Sequence, residues 1–176
     1  MRAILLFFIG IVSHCAFGQD TFQGCKNTPE FQLLAFWVGK WDVLVGNQKI
    51  GENEISWIMD GCAIQENWRD GRGGTGTSLF YYQPTEKRWK QVWVTPNPYA
   101  RGGVKEKVNN EKRDDGTIVF TGTLIDQEGK SYLDRTLLIP ESNGTVMQII
   151  QVSYDNGNHW TTVFDAIYQQ TAKPLK

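Results

Sequence analysis

The sequence is poor in histidine and cysteine, and its charges nearly cancel. Of its 176 residues, two are His and three are Cys. His14 falls in the N-terminal stretch described next, which leaves His159 for a folded domain and excludes a site built on several histidines. A net charge of −1 offers no basic surface, so we predict no nucleic-acid partner. We also predict no cofactor and no metal site.

The chain opens with a pattern typical of an export signal. In residues 1–18, Arg2 precedes an apolar run over 3–12 that is too short to span a bilayer, and a small-x-small sequence ends at Gly18. The pattern predicts a signal peptide that is cleaved after Gly18, export to the periplasm or the medium, and no transmembrane segment in the mature chain. A lipoprotein leader acylated at Cys15 is the alternative.

Export permits disulfides, and two cysteines remain after the leader. Cys25 and Cys62 are the right number for one bridge. Such a bridge would stabilise the fold by about 3–4 kcal/mol through loop entropy. The alternative is a pair of unpaired, buried thiols.

Helix signals are scarce, and the clearest lie near the N-terminus. Thr28 can cap a helix, Pro29 suits the first helical position, and Glu30 favours the positive end of the helix dipole. We expect a lead-in with a short helix over 19–35. One barrel domain over 36–170 and a tail over 171–176 would follow.

The rest of the chain alternates between apolar and polar residues, with turn signals at intervals. Period-2 alternation with short connections is typical of antiparallel strands. Ten strands are predicted, over 40–46, 49–58, 62–69, 77–83, 88–95, 101–108, 117–125, 130–139, 145–154 and 159–169. A meander of this length leaves two exposed edges unless it closes. The predicted fold is therefore an all-β, up-and-down antiparallel barrel, with a two-sheet sandwich as the alternative.

Four segments resemble known proteins. They are FWVGKWDV at 36–43, GCAIQENW at 61–68, the Trp89-x-Gln91-x-Trp93 strand and SYDNGNHWTTVFDAIY at 153–168. The Gly39-x-Trp41 core of the first resembles the signature of lipocalins and the wider calycin group. In order, the four resemble exported, largely uncharacterised bacterial lipocalin-like proteins.

The resemblance implies a β-barrel that holds an apolar or amphipathic small molecule, and it implies no catalytic residues. It also implies that Trp41 packs across the closed end of the barrel, with Gly39 beside it. One feature of the family is missing, because the predicted last strand lacks the arginine that stacks on the signature tryptophan.

Alternation also assigns faces to the strands. Glu66 shares a face with Trp68, and Gln91 shares one with Trp93. If the tryptophans point inward, both polar residues point inward too, and Arg135 is a possible partner for the buried carboxylate. The residues predicted to line a ligand cavity are Glu66, Trp68, Tyr82, Gln91, Trp93 and Arg135.

A turn motif precedes the last strand. Ser153-x-Asp155-x-Gly157-x-x-Trp160 fits an Asp-box hairpin, whose carboxylate caps its own turn. We predict structural roles for Asp155, Gly157 and Trp160. The motif places His159 at a hairpin tip, where it suits a solvated side chain better than a haem ligand.

Two functions of different classes fit the sequence. The first is an exported barrel that binds a small apolar or amphipathic molecule in a Trp-lined cavity. The second is a barrel enzyme of isomerase, cyclase or hydratase type, with Glu66 as general acid or base. A structural or protein-interaction role at the cell envelope is a further alternative.

Overall fold

The computed structural model describes residues 24–100 and 102–171. The predicted signal peptide, its cleavage site and Cys15 lie outside the described residues, as does most of the predicted tail.

Ten antiparallel strands form a closed barrel in which each strand pairs with its neighbours in sequence and β1 pairs with β10. The strands are β1 (Gly39–Val45), β2 (Gln48–Ile58), β3 (Ala63–Asp70), β4 (Thr75–Gln83), β5 (Arg88–Val94), β6 (Val104–Lys112), β7 (Ile118–Ile125), β8 (Ser131–Pro140), β9 (Val146–Ser153) and β10 (Thr161–Gln170). This confirms the predicted fold class and is consistent with a lipocalin- or calycin-like fold. Closure leaves no unpaired edge, unlike the sandwich alternative.

The sixth strand begins and ends later than the alternation indicated. The predicted strand covers 101–108, whereas β6 runs from Val104 to Lys112. Asn109, which comes directly after the predicted strand, lies at a register shift between β6 and β7. Its side-chain amide donates to the carbonyl oxygens of Glu111 (2.9 Å) and Val119 (3.0 Å). These bonds span the irregularity, so the strand continues past it.

The predicted N-terminal helix is present as three 3₁₀ turns, at Cys25–Asn27, Pro29–Gln32 and Ala35–Trp37, and a fourth lies at Met59–Gly61. The expectation that the Thr28 side chain caps the helix is wrong. The backbone N–H of Phe31 donates to the Thr28 carbonyl oxygen at 3.0 Å instead. This N–H is therefore not free to donate to the Thr28 hydroxyl.

These turns cover one end of the barrel, which we call the closed end. Leu34 and Trp37 are fully buried there and join a core of inward-facing strand residues. Cys25 and Cys62 form a disulfide that ties the first turn to the start of β3. The barrel is therefore filled with apolar side chains at this end.

The Gly39-x-Trp41 segment lies within the closed end. Trp41 is buried, and its indole N–H donates to the Trp37 carbonyl oxygen at 3.0 Å. A Cβ at Gly39 would come 3.1 Å from the Trp41 ring, so glycine leaves room for it. The rings of Trp37 and Tyr168 flank Trp41 at centroid distances of 6.2 and 6.5 Å. Tyr168 lies on the last strand, β10, which carries no arginine.

The opposite end, which we call the open end, is bordered by the connections over 46–47, 71–74, 95–100 and 102–103, 126–130 and 154–160. Among the described residues, no helix has the length and apolar character needed to cross a membrane.

Candidate ligand-binding cavity

A cavity of about 230 Å³ lies inside the barrel, between the apolar core of the closed end and the open end. Its walls combine charged, amide and aromatic side chains. They come from Glu66, Trp68, Gln91, Trp93, Gly102, Lys105, Lys107, Thr136, Gln148, Ile150, Phe164 and Tyr168. The open-end half of the barrel is therefore not filled by side chains.

Buried polar residues form a belt across the middle of the barrel. Successive side chains of a strand point to opposite faces, and on most strands a polar residue occupies the inward position at this level. The belt residues are Asn53, Glu66, Ser78, Gln91, Lys107, Asp134, Thr136, Gln148 and Tyr168. The belt forms the floor of the cavity.

Glu66 is held by hydrogen bonds from both of its neighbouring strands. Asn53 Nδ2 donates to Oε1 at 2.7 Å, and Ser78 Oγ donates to Oε2 at 2.6 Å. Gln91 Nε2 in turn donates to Ser78 Oγ at 3.1 Å. Burial raises the pKa of Glu66, and these hydrogen bonds together with the charge of Lys107 offset part of that rise.

Two lysines share one carboxylate on the other side of the belt. Lys107 forms an ion pair with Asp134 Oδ1 and donates to Thr136 Oγ1 at 2.6 Å. Lys105 Nζ lies 2.8 Å from Asp134 Oδ2. Burial lowers the pKa of Lys107 from 10.5 to about 8, although the adjacent Asp134 opposes the change.

A glycine makes this contact possible. Lys107 is on β6 and Asp134 on β8, so the lysine side chain must pass over β7. The inward position there is Gly122, which pairs with Asp134. A Cβ at Gly122 would overlap the Glu106 carbonyl oxygen and would come 3.2 Å from Lys107 Cγ. The absent side chain leaves Lys107 room to cross.

Tyr168 and Gln148 complete the belt. The Tyr168 hydroxyl donates to Gln148 Oε1 at 2.7 Å. Burial raises the pKa of Tyr168 well above its usual value, and the negative charge of Glu66 acts in the same direction. Tyr168 is therefore a neutral hydrogen-bonding group at neutral pH.

Aromatic rings form the upper wall of the cavity. Trp68, Trp93 and Phe164 line it towards the open end. Two inward-facing glycines make room for the indoles, because a Cβ at Gly51 would lie 2.6 Å from the Trp68 ring and one at Gly76 would overlap Trp93. The cavity therefore has two chemically distinct halves, with polar groups at the belt and flat apolar rings towards the open end.

Among the residues that line the cavity, one buried acceptor has no partner in the part of the chain that the structure describes. Gln91 is 7% exposed, and its Oε1 accepts no hydrogen bond. A buried acceptor without a donor costs about 1–3 kcal/mol. The oxygen is inaccessible to solvent even in the empty cavity, so a donor on a bound molecule would reach it only after the Gln91 side chain rotates.

The structure brings together four of the six residues predicted to line a cavity: Glu66, Trp68, Gln91 and Trp93. Tyr82 lies elsewhere, at the closed end. It packs against Phe31 and Trp89 at ring-centroid distances of 5.2 and 6.2 Å. Its inward position near the end of β4 places it against the 3₁₀ turns that cover the barrel.

The predicted inward placement of Arg135 is wrong. Arg135 alternates with Asp134 and Thr136, which point inward, so it lies on the outer face of β8. Its Nε donates to Gln151 Oε1 at 2.8 Å, and its guanidinium stacks 3.9 Å from the centre of the Trp160 ring. Alternation fixes which residues share a face but not which face is inside, and on β8 the apolar Leu133 and Leu137 share the outer face with Arg135.

The Asp-box residues form the hairpin between β9 and β10. Asp155 Oδ1 accepts from Ser153 Oγ at 2.7 Å and from the His159 backbone N–H at 2.9 Å. These bonds and the His159 ring hold the pKa of Asp155 well below its usual range. The side chain of His159 is 90% exposed, and Trp160 packs near Gly157.

Sequence reasoning missed the charged side of the cavity. Lys105, Lys107 and Asp134 were not among the predicted site residues, although alternation was available to find them. In the segment Val104-Lys-Glu-Lys-Val108, three consecutive charged residues resemble a solvated strand. The signal that could have found them is alternation. Lys105 and Lys107 share one face of the strand, and in a closed barrel one face of each strand points inward.

The chain matches no protein-family model and no curated protein.

Proposed function

We propose that the protein is an exported, lipocalin-like barrel that binds a small amphipathic molecule in this cavity. The observation that carries the proposal is a cavity of about 230 Å³ that side chains do not fill and whose wall combines charged, amide and aromatic groups. Small-molecule sites typically combine apolar walls with a few placed polar groups.

The polar floor favours an amphipathic molecule over a wholly apolar one. An apolar occupant would cover the spare N–H groups of Lys105 and Lys107 without replacing the hydrogen bonds that water provides. Each such loss costs about 1–3 kcal/mol. We therefore expect the polar end of the ligand at the belt and its flat apolar end between Trp68 and Trp93.

The volume limits the size of the ligand. At about 230 Å³, the cavity is smaller than the ~300–1,000 Å³ of typical ligand pockets. The expected ligand has one or two rings, or a short chain that extends through the open end.

The test is to fill the cavity and measure probe binding. Ile150 lines the cavity, whereas Ile149 is its neighbour on the outer face of β9 and pairs with Leu137. We expect the neutral fluorophore N-phenyl-1-naphthylamine to bind the wild type saturably. Ile150→Trp should weaken binding at least tenfold, and Ile149→Trp should leave it unchanged.

Equal binding to both variants would place the probe elsewhere on the protein and contradict the proposal, as would a wild type that binds no probe. Native mass spectrometry of protein purified from its own host adds the identity of the ligand. A bound small molecule of constant mass, lost in Ile150→Trp, is the supporting result.

One observation favours an enzyme as a second candidate. The carboxyl group of Glu66 is buried in the cavity wall, and its pKa is raised. General acids and bases in enzymes often have such a raised pKa. If Glu66 acts on the bound molecule, Glu66→Gln will retain affinity for the molecule that co-purifies with the protein and abolish its turnover. A binder without activity will show no turnover in either protein.

Export is part of the proposal. The leader pattern supports it, and the Cys25–Cys62 disulfide is compatible with an oxidising compartment. The mass of protein purified from its own host tests this, since cleavage after Gly18 leaves a chain that begins at Gln19.

A further inference from the structure

We propose that the polar end of the ligand is an anionic group, a carboxylate or a similar oxyanion, and that Lys105 and Lys107 bind it at the floor of the cavity. This inference rests on the proposed function and specifies the charge of the molecule that the cavity accepts.

The lysine cluster carries more positive than negative charge. Two ammonium groups contact a single carboxylate, with Lys105 on Asp134 Oδ2 and Lys107 on Asp134 Oδ1. The three groups sum to +1 when both lysines are protonated. An uncompensated charge away from water is costly, and an anion in the same cavity would compensate it.

The carboxyl group of Glu66 also lines the cavity, but it already has other hydrogen-bond partners. Its two oxygens accept hydrogen bonds from Asn53 and Ser78. Among the described residues it forms no ion pair with either lysine, although its charge and that of Lys107 attract each other at longer range. Burial also favours its neutral form, and Tyr168 contributes no negative charge.

The lysines have hydrogen bonds left to give. An ammonium group has three N–H donors. Lys107 directs two towards Thr136 and Asp134, and Lys105 directs one towards Asp134. Gln148 accepts from Tyr168 through Oε1, which leaves its NH₂ group as another donor in the cavity wall.

The position of Lys105 also suits a ligand that enters from the open end. Its side chain is 17% exposed, whereas that of Lys107 is 2% exposed. Lys105 lies beside Gly102, in the connection between β5 and β6. An anion that passes this connection meets Lys105 first and Lys107 at the floor.

A matched pair of probes tests the charge requirement. The sulfonate 8-anilinonaphthalene-1-sulfonate and neutral N-phenyl-1-naphthylamine share one aromatic skeleton and differ in the anionic group. Only binding that Ile150→Trp abolishes is counted as cavity binding. We expect the wild type to bind the sulfonate at least tenfold more tightly than the neutral probe.

Lys105→Met is the informative variant, because Lys107 and Asp134 remain paired. It should weaken sulfonate binding about tenfold or more and leave neutral-probe binding unchanged, and Lys105→Arg should restore most of the loss. Lys40→Met is the control, since Lys40 lies on the outer face of β1 with its side chain 72% exposed. It should change neither affinity.

The possible failures are distinguishable. If the wild type binds both probes equally in the cavity, or if Lys105→Met weakens both equally, the anion site is wrong and the proposed function stands. If neither probe binds in the cavity, both proposals fail. The comparison of probes on the wild type decides the question even if Lys105→Met does not fold.

Discussion

Glu66 is the residue in which burial and hydrogen bonding oppose each other most directly. Burial favours its neutral form, whereas the bonds from Ser78 and Asn53 and the charge of Lys107 favour the ionised form. Burial is the larger effect, so the ionised side chain destabilises the folded state relative to a carboxyl in water.

The pH dependence of stability follows from that direction. The pKa of Glu66 is raised in the folded protein, so between its unfolded and folded values the folded state binds the extra proton, and stability falls as pH rises. Each unit of raised pKa corresponds to about 1.4 kcal/mol. Glu66→Gln should therefore gain stability relative to the wild type as pH rises from 4.5 towards neutrality, measured by denaturant unfolding.

Glu54→Gln is the control for this measurement, because Glu54 faces outward on β2 and its side chain is 54% exposed. Its stability relative to the wild type should change little over the same pH range. An identical pH dependence in the two variants would contradict the assigned environment of Glu66.

For single residues, strand alternation in the sequence predicted some of the inward-facing side chains correctly and others wrongly. Glu66 and Gln91 could be predicted to point inward because each alternates in step with a tryptophan. Arg135 could not be placed in the same way, since leucines flank it on the outer face and its Trp160 partner lies in the connection between β9 and β10. Which face of a strand is inside depends on contacts that a single strand does not encode.

Among the elements, the N-terminal 3₁₀ turns determine which end of the barrel is closed. Their hydrophobic residues, Leu34 and Trp37, complete the core. A backbone–side chain hydrogen bond adds to this, because the indole N–H of Trp89 donates to the Glu30 carbonyl oxygen at 2.9 Å. The disulfide fixes the same segment to the barrel wall.

The disulfide should make a large contribution to stability. It links residues 37 positions apart, and loop entropy gives about 3–4 kcal/mol for a loop of this length. The double variant Cys25→Ala/Cys62→Ala should lose that much free energy of unfolding in a denaturant titration. Wild-type protein under reducing conditions should show a similar loss, and a loss below about 1 kcal/mol would contradict the estimate.

The strands were predictable to within a few residues for a physical reason. Each strand of the barrel has one face towards solvent and one towards the interior, so polar and apolar residues alternate along it. Gly, Asn and Asp mark the turns between strands. The exceptions have local causes. Asn109 carries a turn-forming side chain but uses it across a strand irregularity, and the 3₁₀ turns are too short to show helical periodicity.

For the whole molecule, closure of the sheet separates an apolar closed end from a polar, partly empty open-end half. The fold follows from the number of strands and their short connections. The cavity does not, because its volume depends on how Trp68 and Trp93 lean over glycines and how Lys107 crosses Gly122. These are contacts between strands, which composition and alternation do not specify.

The central claim is that a small molecule binds inside the barrel, above the polar belt. The most direct test follows the indole N–H signals of the seven tryptophans by two-dimensional ¹H–¹⁵N NMR during titration with N-phenyl-1-naphthylamine. Saturable shifts at Trp68 and Trp93, with Trp160 on the outer face unchanged, are the result that we predict. Shifts confined to Trp160, or no saturable shift at Trp68 and Trp93, would contradict binding in the cavity.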